Sequence, residues 1–76
     1  MLLAEFVKEG TETLGALYPQ KEARNIVLML CEDVLGTKSY THIVEPEYEV
    51  DEDKKDLLYS DLKRLTAGEP IQYVIG

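Results

Sequence analysis

The sequence predicts an all-α protein, a small bundle of four helices with a short fifth helix at the C-terminal end. Three observations predict it. Apolar residues recur three and four apart in separate stretches, the spacing that lines one face of a helix. Glycine or proline stands where those stretches stop, as helix ends require. Strand-like alternation is confined to residues 41–50, where Pro46 and a high density of acids weaken it. Connections of only a few residues would set neighbouring helices roughly antiparallel.

The first helix is expected over about residues 2–17, with Leu3, Phe6, Val7, Leu14, Leu17 and Tyr18 on one face and Gly10 at the missing step. Gly15 inside it costs about 1 kcal/mol relative to alanine, so it marks either the close approach of a neighbouring helix or a tolerated weak spot. Pro19 disfavours helical geometry at Tyr18 and closes the segment.

The second helix, over residues 21–35, carries the strongest pattern. Ala23, Ile26, Val27, Leu30, Val34 and Leu35 form the stripe, and Leu28, Met29 and Cys31 widen it, so it is expected at the centre of the bundle. Gly36 is placed to be its left-handed cap. Cys31 reads as a small core residue, because no histidine lies nearby and no charged group favours a thiolate.

One or two turns follow between Thr37 and Val44, capped by Thr37 or Ser39 and stopped before Pro46. His42 stands alone here, with no second histidine and no cysteine pair to complete a metal site. An acidic connector leads to a fourth helix over about residues 52–66, with Asp51 as its N-cap and Val50 stapled onto it. Leu57, Leu58, Leu62 and Leu65 are its expected buried face. Its first residues superficially resemble a calcium loop, but Asp56 stands where glycine is needed and Leu62 where a bidentate glutamate is needed. The acids there suit the positive end of the helix dipole, and Lys63 and Arg64 suit the negative end.

The chain has 76 residues, which allow one domain whose core must be economical, since a chain of this size buries only about 60% of its unfolded surface. Its single cysteine cannot form an internal disulfide. There is no apolar run long enough for a membrane span, and the start lacks the basic residues of a signal peptide, so a cytoplasmic location is expected. The net charge of −7 argues against direct binding to nucleic acid. It suits a basic protein partner, or serves solubility alone.

Catalytic patterns are missing. There is no glycine-rich phosphate loop, no histidine with a nucleophile at a recognisable spacing, and no metal-ligand cluster. An acyl carrier needs a serine at a helix start in an Asp-Ser-Leu setting, whereas Ser60-Asp61-Leu62 is reversed and mid-helix. No catalytic, cofactor-binding or metal-binding residue is assigned.

The closing stretch, Arg64-Leu-Thr-Ala-Gly-Glu-Pro-Ile-Gln-Tyr-Val-Ile-Gly76, is the most distinctive. Gly68 suits the left-handed position after a helix end, and Pro70 cannot continue that helix but can begin the next. A short fifth helix is expected from Glu69-Pro70-Ile71, finished by Gly76. An end directly after Val74-Ile75 suggests a separated piece of a longer protein.

These residues resemble the signature that ends the N-terminal helical domain of the peptide-chain release factor glutamine methyltransferases (PrmC/HemK), above all Gly68-Glu69-Pro70-Ile71, Tyr73 and Gly76. Glu22-Ala23, Ile26-Val27-Leu28 and Val34-Leu35-Gly36 are similar to that domain's second helix, where aspartate more often precedes the alanine. The resemblance spans the chain in length and helix order; its specific part is residues 64–76.

The resemblance implies a substrate-recognition domain. In this family a separate Rossmann-like domain with an Asn-Pro-Pro-Tyr motif binds S-adenosylmethionine and methylates the glutamine of the release factor's Gly-Gly-Gln motif. The N-terminal bundle helps to hold the release factor. Residues 1–76 would then be a recognition domain without the catalytic one, with the release factor and that catalytic domain as its partners. Carried over onto the matching motif, the candidate contact residues are Arg64, Glu69, Gln72 and Tyr73. Each also has a structural reading: Glu69 as a cap of the last helix, Arg64 as a partner of helix-end carbonyls, Tyr73 as a packing residue. The contrasting expectation is a free-standing acidic helical adaptor for another basic protein.

Overall fold

A computed structural model describes residues 1–75. Five helices follow one another: α1 (Leu3–Leu14), α2 (Gln20–Leu35), α3 (Thr41–Val44), α4 (Glu52–Thr66) and α5 (Ile71–Val74). The all-α expectation holds in number and order. Gly76, expected to finish the fifth helix, lies outside the described residues.

The core forms where α1, α2 and α4 face one another. Phe6, Leu14, Ala23, Val27, Leu30, Leu58 and Leu65 are fully buried, and Ile71 and Val74 dock α5 against this cluster. Phe6 of α1 meets Tyr59 of α4 edge-on, with ring centroids 5.3 Å apart and planes at 88°, the arrangement that brings a ring's positive edge to a negative face. The Tyr59 hydroxyl donates to the Glu9 carboxylate, and that bond, with burial, pushes the phenol up to about 12.

Several boundaries differ from expectation. The first helix ends at Leu14, three residues early. Gly15 closes it, its N–H bonding to the Thr11 and Glu12 carbonyls, and Leu17 and Tyr18 fold back to the Leu14 carbonyl. This tightened turn swings Leu17 out of the apolar stripe, leaving it 51% exposed. The atoms nearest to a Cβ on Gly15 would be those two carbonyls of its own helix, not a neighbouring helix. The close approach is at Gly10, where a Cβ would stand 3.0 Å from Val27 Cγ2.

α2 begins at Gln20, immediately after Pro19, and ends at Gly36 in the left-handed conformation, φ 73°, as expected. Cys31 is buried among its apolar neighbours, and desolvation pushes the thiol up to about 12, so it stays protonated and inert. Met29, expected to widen the buried stripe, is exposed.

α3 is a single turn. Neither Thr37 nor Ser39 caps it. The Thr41 hydroxyl instead accepts the Lys38 N–H at 2.8 Å, and the Thr37 hydroxyl is buried without a partner. Tyr40, Ile43 and Val44 are all exposed.

Residues 48–50 do pair, though not as a strand. Leu2 and Glu49 form an isolated antiparallel bridge, with Leu3 N–H on the Tyr48 carbonyl at 3.0 Å and Val50 N–H on the Met1 carbonyl at 2.8 Å. Two short backbone segments thereby satisfy each other, and Val50 is buried next to the core.

α4 matches its expected bounds, and Asp51 occupies the N-cap position, but its side chain makes no capping bond. Leu57 was expected on the buried face and is 45% exposed. It lies one residue before Leu58, about 100° around the helix, and Leu58, Leu62 and Leu65 complete the packed stripe without it. Asp61 is buried beside that stripe, and desolvation raises its carboxyl above the usual range.

Candidate functional site

The four candidate contact residues lie at the corner where α4 gives way to α5. α4 stops through a pair of backbone bonds that also set the direction of the next segment. Gly68, at φ 98°, sends its N–H to the Leu65 carbonyl at 3.0 Å, and Glu69 sends its N–H to the Arg64 carbonyl at 3.2 Å. This is the Schellman pattern, which satisfies two carbonyls that a helix end would leave open. Pro70 then precedes the first residue of α5 with extended ψ, so it caps that helix rather than occupying its first turn.

The same backbone geometry brings the Arg64 and Glu69 side chains together. Arg64 Nε donates to Glu69 Oε2 at 3.1 Å and Nη2 donates to Oε1 at 2.9 Å, a forked guanidinium–carboxylate pair. Among the described residues this is the one ion pair. The hydrogen bonds from Arg64 hold the Glu69 carboxyl below the usual carboxylate range, and the carboxylate raises the guanidinium further. Both side chains are near half exposed, so solvent screens the pair and its worth is geometric. Glu69 does not cap α5 with its side chain, and Arg64 reaches the carboxylate rather than helix-end carbonyls.

On α5, Ile71 and Val74 face the core, which leaves Gln72 and Tyr73 between them on the outside. Tyr73 is 74% exposed, so it does not pack in the core of this domain. Gln72 lines a hollow of about 340 Å³ between α2 and α5, together with Tyr18, Asn25, Met29 and Ile71. The structure therefore joins Arg64 to Glu69, sets Tyr73 outward beside them in sequence, and turns Gln72 toward α2.

Periodicity did not single out the α2 side of this hollow. Met29 reads as a stripe residue because it is apolar, and Tyr18 as part of the first apolar face because its spacing continues from Leu14. Pro19 marks the end of helical geometry at Tyr18, but the helix already stops at Leu14, with Gly15 as its cap.

Among the described residues no group of three or more histidine, cysteine, aspartate or glutamate side chains is placed to hold a metal ion. Nor is any helix long and apolar enough to cross a membrane.

The family model for the PrmC N-terminal domain matches residues 5–76, which takes in α2 to α5, most of α1 and the whole of the α4–α5 corner. The chain belongs to the PrmC N-terminal domain family. No curated protein and no solved structure matches it. Family membership accords with the resemblance read from residues 64–76 and from the second helix, and the matched residues also cover α3 and most of α1.

Proposed function

We propose that this domain holds a peptide chain release factor for an S-adenosylmethionine-dependent protein-glutamine methyltransferase of which it forms the N-terminal part. The observation that carries the reading is the family match over residues 5–76. The cofactor and the bond chemistry belong to the catalytic domain of that protein. The bundle contributes binding and orientation: it raises the effective concentration of the release factor and steers its Gly-Gly-Gln glutamine toward transfer. A cytoplasmic setting goes with this role.

Two features support the assignment of contact residues. Tyr73 offers a large, exposed amphipathic side chain of the kind enriched at interface centres. Arg64 and Glu69 are held in a fixed forked geometry close to it in sequence, so a donor and an acceptor are offered to a partner's polar groups with little further ordering. The net charge of −7 favours encounter with a basic surface on the partner.

The test is a deletion in the parent enzyme. Removing residues 1–76 is expected to weaken affinity for release factor at least tenfold while S-adenosylmethionine binding is unchanged. Equal affinity with and without the domain would reject the role, and would leave an acidic adaptor for a different basic protein as the better reading.

A further inference from the structure

A second hollow, of about 340 Å³, lies where α1, α2 and α3 meet, lined by Lys8, Thr11, Glu12, Gln20, Arg24 and His42. Its charge runs against that of the chain. With fifteen acidic and eight basic residues overall, this spot gathers two cations and the single histidine against one carboxylate.

The hollow is also short of acceptors. Among the described residues neither Lys8 nor Arg24 makes an ion pair. Arg24 Nη2 lies 3.4 Å from His42 Nε2, and His42 Nδ1 is buried without a partner. If Nε2 accepts from the guanidinium, the ring proton sits on Nδ1 with nothing to receive it. If Nε2 carries the proton, two donors face each other. Either tautomer leaves a donor without an acceptor, and the Thr11 hydroxyl is already committed to the Val7 carbonyl at 2.6 Å.

We infer that this hollow binds an oxyanion, held between the Arg24 guanidinium and His42 Nε2 with the Lys8 ammonium supplying the second full positive charge. The anion accepts from Arg24 and from the Nε2–H of the neutral ring at once, which removes the conflict at Nε2 and leaves buried Nδ1 without a stranded proton. Burial and the nearby Arg24 charge lower the affinity of His42 for a proton. Bound negative charge offsets the Arg24 effect, so the His42 titration midpoint rises while the anion is bound. Lys8 and Arg24 oppose that rise, Glu12 favours it, and Gln20 is neutral. The site stands on its own residues and is independent of the release-factor reading.

Because the chain has one histidine, its imidazole NMR signals report on this hollow without ambiguity. The experiment titrates the 76-residue chain with inorganic phosphate and, separately, with acetate, each against sodium chloride at matched ionic strength. Saturable movement of the His42 signals is expected, with the titration midpoint raised by about half a pH unit or more. Tighter binding of phosphate would mark a phosphoryl group as the natural ligand; tighter binding of acetate would mark a carboxylate.

Arg24→Gln should start from a higher midpoint and lose the anion response, with its helical circular dichroism retained. Lys8→Gln should weaken binding several-fold, while Lys54→Gln, on the exposed start of α4, should match the parent. The inference is overturned if both anions act on His42 as chloride does, or if Arg24→Gln responds like the parent.

Discussion

Two glycines, one in the seam between α1 and α2 and one at the corner between α4 and α5, do opposite jobs. Gly10 is needed for the space it leaves: a Cβ there would press on Val27 at 3.0 Å from Cγ2 and 3.2 Å from Cγ1, both fully inside the core. Gly68 has nothing within 4 Å of where a Cβ would stand, but its φ of 98° is one that side chains rarely adopt. In the seam the sequence minimises side-chain volume so that two long helices can close. At the corner it permits a backbone turn so that polar and aromatic groups stand outward. Stability is concentrated in the first region and surface presentation in the second.

The sharpest way to break this comparison is to fill the seam. Gly10→Val forces α1 and α2 apart and is expected to destabilise by about 2–3 kcal/mol, the upper part of the usual overpacking range. For a domain near its stability threshold that is a large fraction of the total, and urea unfolding would read it as a lower midpoint. An unchanged midpoint would mean that the seam is not close-packed.

Gly68→Ala tests the other half. It adds no clash, and its expected cost of about 1–2 kcal/mol comes from the left-handed backbone alone. Its melting temperature should fall by roughly 4–8 °C for each kcal/mol. Should Gly68→Ala prove worse than Gly10→Val, the division of roles would be reversed.

Glu69→Gln is expected to have the smallest effect on stability, and its size depends on pH. The Glu69 carboxyl is held below its ordinary range in the folded chain, first by the Arg64 hydrogen bonds. A lowered folded pKa means that the stabilisation is present above the ordinary carboxylate range and is lost as pH falls through the lowered value. The variant should therefore melt slightly below the parent at neutral pH, and the two should converge in acid. A gap that persists in strong acid would show that the ion pair is not its cause.

Much of the fold was legible because it follows from spacing. The stripe from Ala23 to Leu30 marks a buried helix face in any context, and Gly36 and Gly68 mark left-handed ends, φ 73° and 98°, because only glycine takes that conformation cheaply. Leu17, Met29 and Leu57 were less legible. Met29 and Leu57 are apolar and near the right spacing but sit at the margin of stripes that other residues already fill, whereas Leu17 lies beyond the end of α1 at Leu14. The bridge between Leu2 and Glu49 was illegible, since its bonds run through the backbone, which any pair of extended segments can use. At the corner, the sequence placed Arg64, Glu69, Gln72 and Tyr73 in one motif but could not separate capping from presentation. The five-residue interval from Arg64 to Glu69 becomes a contact only because the Schellman turn folds one back over the other.

The central claim is that the α4–α5 corner presents residues to a protein partner, and it is tested most directly by the affinity of the parent methyltransferase for a release factor when Tyr73 is replaced by alanine. Tyr40, 57% exposed against 74% for Tyr73, supplies a matched control just before α3. Tyr73→Ala is expected to weaken binding about tenfold, the loss that marks a contact residue at an interface, with its melting temperature unchanged and with Tyr40→Ala binding as the parent does. Equal affinity for parent and Tyr73→Ala, or an equal loss in both variants, would contradict the account.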